Sequence, residues 1–279
     1  MTKKLTIASA ILLAIVIMST GASAKSSAKR SGVPQKIVDL LAEGELKKAI
    51  FEMRELPPCP KKNYLMRSAN RIVLFGMEKK PSRSTAHKVY QNVAVAYHNL
   101  YLFLKARGIA REDYFENADK YYRKGRRAGT HLHKADCDIL RAALIASGGD
   151  VEKARKRFEK IDEMMLRGDF ESMGYIAVYY AAVGDHDEAL RFLDTAFTLD
   201  PKRAIEWVEV SDDFHDLDDD PRFIAMKDSW RAKSKKRDLV LHVPECDEPR
   251  LNMMGTDPYS PIGFSRKAKR QLKANKKAR

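Results

Sequence analysis

The sequence predicts an all-α protein built as an array of antiparallel helix pairs. Three observations carry this: apolar residues recur with a helical period, glycine turns separate the runs, and small residues return at a nearly constant step. From Gly149 to Gly184 is 35 residues, from Ala154 to Ala189 is 35, and from Ala118 to Ala154 is 36. Ala49 to Ala118 is 69, close to two periods. A constant step is the signature of a repeat architecture.

Met173 to Pro201 is the clearest unit. Tyr175, Ile176, Tyr179, Tyr180 and Val183 mark a first helix, and Ala189, Leu190, Leu193, Ala196 and Phe197 a second. Gly184-Asp185 turns the chain between them, and Pro201 is read as a stop. Ala177, Ala189 and Ala196 fall where two antiparallel backbones must approach, and larger side chains there would hold them apart. The spacing of Ala177, Tyr180, Gly184, Ala189, Leu193, Ala196 and Pro201 resembles the tetratricopeptide repeat (TPR), a helix pair of about 34 residues. It departs from that pattern at Met173, where the family usually has Trp, and at Ala177, where it usually has Gly; both still suit packed helices. The resemblance implies a right-handed superhelical array, a TPR-like α-solenoid.

The other units follow in order. Pro34 opens the first, with Ile37, Leu40 and Leu41 apolar, and Gly44 to Ala49 repeats the spacing of Gly184 to Ala189. Pro57-Pro58-Cys59-Pro60 breaks the chain. Asn63 to Met77 reads as a helix, but the paired motif expected around Leu65 to Ala86 is not visible. Ser84 or Thr85 is placed to cap the next helix, which runs to about Arg107, is apolar nearly all round and is ended by Gly108. Glu112 to Arg127 carries Ala118 and Tyr122, and a pair from Thr130 to Ile161 turns at Gly148-Gly149-Asp150. After Pro201, Phe214, Leu217 and Asp220-Pro221-Arg222-Phe223 resemble the segment that closes TPR arrays, with Trp230 its large side chain. An array needs such a cap because its last pair would otherwise expose an apolar face.

The ends differ from this middle. Lys3-Lys4, an apolar run from Leu5 to Met18 and Ser19 to Ala24 predict a secretory signal peptide over residues 1–24, cleaved after Ala24. The apolar run falls short of the roughly 20 residues a spanning helix needs. The expected organisation is therefore signal peptide 1–24, flexible linker 25–33, repeat domain 34–236 and a mostly disordered basic tail 237–279. Its location is periplasmic or secreted, with no membrane span after cleavage. The formal net charge of +14 becomes +12 once Lys3 and Lys4 are removed. Residues 263–279 carry Arg266, Lys267, Lys269, Arg270, Lys273, Lys276, Lys277 and Arg279 with no acid, whereas Asp185 to Asp220 is acid-rich. Of the three cysteines, Cys59 and Cys246 stand in Pro-containing loops and are the expected pair in an oxidising compartment.

Catalytic patterns are missing: no P-loop, no G-x-S-x-G, no dinucleotide-binding glycine pattern and no H-E-x-x-H occurs. Asp216, Asp218 and Asp220 alternate like a calcium loop, but Pro221 stands where that loop requires Gly and Lys227 where it requires a bidentate Glu. His131, His133 and Cys137 supply three metal-ligating types without an evident fourth. The tyrosine pairs, including Tyr121-Tyr122 and Tyr179-Tyr180, read as interhelix packing. No enzyme activity, metal or cofactor is expected.

The resemblance implies that the first helix of each pair lines a concave groove. The groove-facing candidates are Asp136, Ile139, Leu140 and Ala143 in one unit, with Glu171, Gly174, Tyr175 and Val178 in the next. They are apolar or acidic, so the Lys/Asn/Arg clamp that holds a peptide carboxylate in one TPR subgroup is absent. The expected function is an exported, non-catalytic scaffold that binds another protein or peptide segment in that groove. The alternative is an envelope polyanion or nucleic-acid binder acting through the basic tail on an anionic surface such as acidic lipid or envelope polymer, nucleic acid being the less expected partner.

Overall fold

The glycines that end the apolar runs set the architecture. The computed structural model describes residues 33–57, 59–77, 81–161 and 168–236. The expected signal segment, nearly all of the linker, the basic tail and Cys246 lie outside the described residues.

Among those residues the chain forms eleven α-helices and no strand. They are α1 (Gln35–Ala42), α2 (Leu46–Glu55), α3 (Pro60–Met77), α4 (Ala86–Lys105), α5 (Glu112–Ala128) and α6 (His131–Ser147). Then follow α7 (Val151–Phe158), α8 (Phe170–Ala182), α9 (His186–Leu199), α10 (Pro201–Val210) and α11 (Pro221–Lys236), with a 3₁₀ turn at His215–Leu217.

Four hairpins share one turn. After α1, the Gly44 N–H donates to Leu41 O at 3.2 Å and the Glu45 N–H to Leu40 O at 2.9 Å. The same pair of bonds recurs at Gly108-Ile109, Gly149-Asp150 and Gly184-Asp185. Each glycine has positive φ: 79°, 73°, 97° and 79° in order. This is the Schellman ending, and its left-handed residue favours glycine because a Cβ there meets the following carbonyl. The same turn recurs, so the chain reverses in the same way after α1, α4, α6 and α8. Inside these hairpins Ala49, Ala118, Ala154 and Ala189 are all 0 % exposed, so the periodic small residues are the helix-contact points.

The helices pack mainly against their chain neighbours, and α6 also packs on α8, which stacks one hairpin on the next. Two apolar clusters result. One joins α1 to α5 with Leu140 and Leu144 of α6, and the other joins α6 to α11; Tyr175 packs against both. At the far end Trp230 is 0 % exposed, stacks on Phe197 with ring centroids 4.5 Å apart, and donates its indole N–H to Asp194 at 3.1 Å.

Three expectations change. The unit with no visible motif is a single 18-residue helix, α3, which packs on α2 and α4 and also reaches α10. Its polar Ser68 is buried and accepts from Asn99 of α4 at 3.2 Å, so part of its buried face is polar. Pro201 starts α10 rather than only stopping α9. It sits in the first helical turn, where no N–H is needed, behind Asp200, which accepts from the Arg203 N–H at 3.1 Å. Thr85 precedes α4 but makes no capping bond, because its hydroxyl pairs with Ser82 Oγ at 2.7 Å.

Candidate interaction surface

The eight groove candidates separate sharply by burial, Gly174 being buried. Asp136, Ile139, Leu140, Ala143 and Val178 are between 0 and 4 % exposed. Asp136 accepts from Ser172 Oγ at 3.3 Å, joining α6 to α8, and Ile139 and Ala143 belong to the apolar cluster between those helices. Only Glu171 and Tyr175 keep partial exposure. Glu171 is paired with Arg203 of α10 at 2.7 Å, and Tyr175 meets the Trp207 ring edge-on at 6.2 Å.

Trp207 covers this stretch. A Cβ at Gly174 would fall on its indole ring, well inside contact distance, so Gly174 is what lets the Trp207 ring lie against α8. The Trp207 indole N–H donates to Asp213 at 2.8 Å, and Asp213 follows Asp212, which pairs with Lys61 of α3 at 2.7 Å. That ion pair joins residues 151 apart, with side chains 15 % and 12 % exposed. The loop after α10 thus ties the C-terminal hairpins to the start of α3.

Next to this tie lies a buried polar group. His98 and Tyr122 are 2 % and 0 % exposed and face each other at 3.1 Å between Nδ1 and the hydroxyl, while His98 Nε2 is buried with no hydrogen-bond partner. Burial drives the His98 pKa down to about 3, so the ring is neutral at pH 7. Burial raises the Tyr122 hydroxyl, and Asp213, Cys137 and Tyr175 are close enough to raise it further. Asp213 itself is pushed up to about 6 by burial, against the pull of the Trp207 N–H.

His133 and Cys137, two of the sequence candidates for metal chemistry, each have other neighbours. His133 Nδ1 bonds Thr130 Oγ1 at 2.7 Å and its ring packs on His87 at 4.0 Å, a neighbour the sequence did not suggest. Cys137 is buried behind Gly125, and burial, then Asp136 and Asp138, raise its thiol to about 12, which makes it a poor nucleophile or ligand. Asp218 faces His215 and Lys227, and Asp220 pairs with Arg222 and accepts its backbone N–H. Among the described residues no group of three or more His, Cys, Asp or Glu is placed to hold a metal ion, and no helix is long and apolar enough to cross a membrane.

A second surface emerges at α3, α4 and α5. Tyr97 stacks on Tyr121 at 5.9 Å with planes 6° apart, Tyr121 stacks on Tyr90 at 6.3 Å, and Phe75 meets Tyr121 edge-on at 5.1 Å. All four rings are partly exposed, and the ammonium groups of Lys120 and Lys124 lie over Tyr121 at 5.6 and 5.2 Å. Tyr121 and Tyr122, read together as packing, therefore divide: Tyr122 is core and Tyr121 is surface. The signal was available as spacing, since Tyr90 and Tyr97 are seven apart, as are Tyr114 and Tyr121, and a seven-residue step keeps each pair on one helix face.

The chain matches no family model, no curated protein and no solved structure.

Proposed function

We propose that this chain is an exported helical-repeat scaffold, similar to the TPR class and coiled as a right-handed superhelix, that binds a partner protein or peptide. The observation that carries the proposal is the repeated hairpin: one Schellman turn used four times, with a fully buried alanine at each hairpin contact. Stacked hairpins of this kind expose long continuous faces, and specificity then resides in a few surface side chains. Cys59 is disulfide-bonded, which supports the exported location proposed from residues 1–24.

Two faces compete as the contact. The groove reading keeps Glu171 and Tyr175; the rest of its set is consumed by packing. The partly exposed rings of Phe75, Tyr90, Tyr97 and Tyr121 form the other face, with lysines at their edge. Aromatic rings are favoured at interfaces, because they bury large areas with little loss of side-chain entropy. Photo-cross-linking residues placed singly at Tyr175, Tyr90 and Tyr121, in the intact cell envelope, test this. A discrete adduct from one face and not the other supports the scaffold and names the face. Adducts from neither overturn it.

A further inference from the structure

A cleft of about 500 Å³ is lined by side chains of α5, α6 and α7 and of the residues that follow α7. Five of its nine lining residues are cations and three are acids. The geometry points to a binding site for a soluble oligophosphate, an anion that carries two or more phosphoryl groups in succession, held by Arg126 and Arg157 with Lys153 and Lys156 at the rim.

The least exposed part of the cleft is an arginine–aspartate network. Asp138 of α6 accepts from Arg126 Nε of α5 at 2.6 Å and from Arg157 Nη2 of α7 at 2.9 Å, and its side chain is 16 % exposed. Close by, Asp119 pairs with Arg123 at 2.8 Å and with Arg141. Four guanidinium groups thus meet two carboxylates, and the positive charge is in excess. Arg157 bears the cost of that excess. Its Nε is buried with no hydrogen-bond partner, and burial, then the nearby Arg141 charge, pull its pKa down. A dense negative charge beside Arg157 offsets both effects.

The rim is built differently. The Lys153 and Lys156 side chains are 67 % and 68 % exposed, and their acidic neighbours, Asp150 at 3.7 Å and Glu152 at 3.2 Å, are exposed as well. Ion pairs of this kind hold weakly, so both ammonium groups can turn to a ligand. Ile161 is the single apolar residue among those that line the cleft, which therefore offers little to an aliphatic or aromatic ligand. Guanidinium forks match the oxygens of a phosphoryl group in pairs, and ammonium groups add point charges. One phosphate ion leaves most of this volume empty, whereas a short phosphate chain reaches from the arginines to the lysines. All of these cations stand on the folded helices, apart from the basic run of residues 263–279.

The test is titration calorimetry of the full chain with tripolyphosphate at about 0.15 M salt, where weak surface attraction is screened. One-to-one binding is expected. Arg157→Gln should weaken it roughly tenfold or more. Lys153→Gln with Lys156→Gln, both exposed and so harmless to folding, should weaken it about threefold and flatten its salt dependence. Lys267→Gln with Lys269→Gln removes the same charge from the tail and should change affinity less than about twofold. The urea midpoint of Arg157→Gln shows whether that variant is folded, and the lysine pair carries the test if it is not. The site is overturned if tripolyphosphate does not bind, or if the tail pair weakens binding as much as the cleft pair. It is overturned equally if phosphatidylglycerol vesicles or polyglutamate bind through the cleft lysines and tripolyphosphate does not. None of these results depends on whether the chain is a scaffold.

Discussion

The two halves of the molecule are held by different means. In the C-terminal half four successive helices, α7 to α10, begin at an aspartate whose side chain accepts a backbone N–H three residues on. Asp150 takes Lys153, Asp169 takes Ser172, Asp185 takes Glu188 and Asp200 takes Arg203. In the N-terminal half α1, α2, α4 and α5 begin at Pro34, Glu45, Thr85 and Arg111, and none makes such a bond. That half instead contains most of the buried polar side chains: Lys62, Ser68, His98 and Asn99. Regular helices in one half are thus written locally, residue by residue. In the other half these caps make no such bond, and α5 is tied near its start to a residue far along the chain, the Tyr114 hydroxyl donating to Leu41 O at 2.8 Å.

The sharpest way to break the regular half is to fill its one backbone-to-indole contact. Gly174→Ala places a methyl group on the Trp207 ring, whose relief is limited by its N–H bond to Asp213 and its packing on Phe170, Tyr175 and Phe214. We expect a loss of about 3 kcal/mol or more, at the upper end for overpacked sites, with the urea midpoint as the readout. A loss under about 1 kcal/mol would show that α10 can lift from α8 freely, and that the groove beneath Trp207 opens.

Acid titration separates the halves next, because each contains a fully buried group that titrates below pH 7 with a strong shift, His98 and Asp213, and the signs oppose. His98, at about 3 in the folded chain, stays neutral while the unfolded chain takes up a proton near 6.5, so it lowers stability as pH falls from 6.5 toward 3. Asp213, at about 6 when folded and 3.8 as a free side chain, binds its proton first in the folded state, so it raises stability as pH falls from 6 toward 3.8. Between pH 6 and 4 each contributes a slope of about 1.4 kcal/mol per pH unit, and the two cancel. Asp213→Asn keeps an acceptor for Trp207 but removes the titration; its stability should exceed that of the parent at pH 7 and fall steeply on acidification to pH 4. Urea denaturation at half-unit pH steps gives both slopes, and a variant as flat as the parent would contradict the pairing of these two groups.

The helix caps give smaller, ranked effects. Asp185→Ala and Asp200→Ala each remove a capping acceptor and should cost about 1 kcal/mol. Thr85→Ala, whose hydroxyl faces Ser82 instead, should cost less than about 0.3 kcal/mol, since its lost bond is exposed. Equal losses at Thr85 and Asp185 would remove the distinction between locally and remotely specified helices.

That distinction also explains what was legible in the sequence. Gly44, Gly108, Gly149 and Gly184, with Ala49, Ala118, Ala154 and Ala189, announced the hairpins because a left-handed turn and a close backbone contact each require a particular residue type. Helix α3 was legible as a helix but not as an unpaired one, since what binds it, Ser68 to Asn99 and Lys61 to Asp212, joins residues 31 and 151 apart. Most of the groove candidates are buried for a related reason. Ile139 and Val178 show which helix face is apolar, but not whether a neighbouring helix or solvent covers it. Trp207, which covers Gly174, lies 33 residues downstream and carries no local mark of that role.

Gly76→Ala in α3 is the smallest test, and the one on which the halves should differ in sign from Gly174→Ala. Gly76 is exposed near the end of the helix, its φ is not positive, and a Cβ built there meets nothing within 4 Å. The methyl group therefore costs no packing, while it restricts the unfolded chain and favours helix. A gain of about 0.5 kcal/mol is expected, reduced from the mid-helix value because the last turn frays. The midpoint of urea unfolding should rise with no change in slope. A loss instead would mean that another part of the chain lies against this end of α3, which would place a further contact beside Phe75 and the tyrosine face.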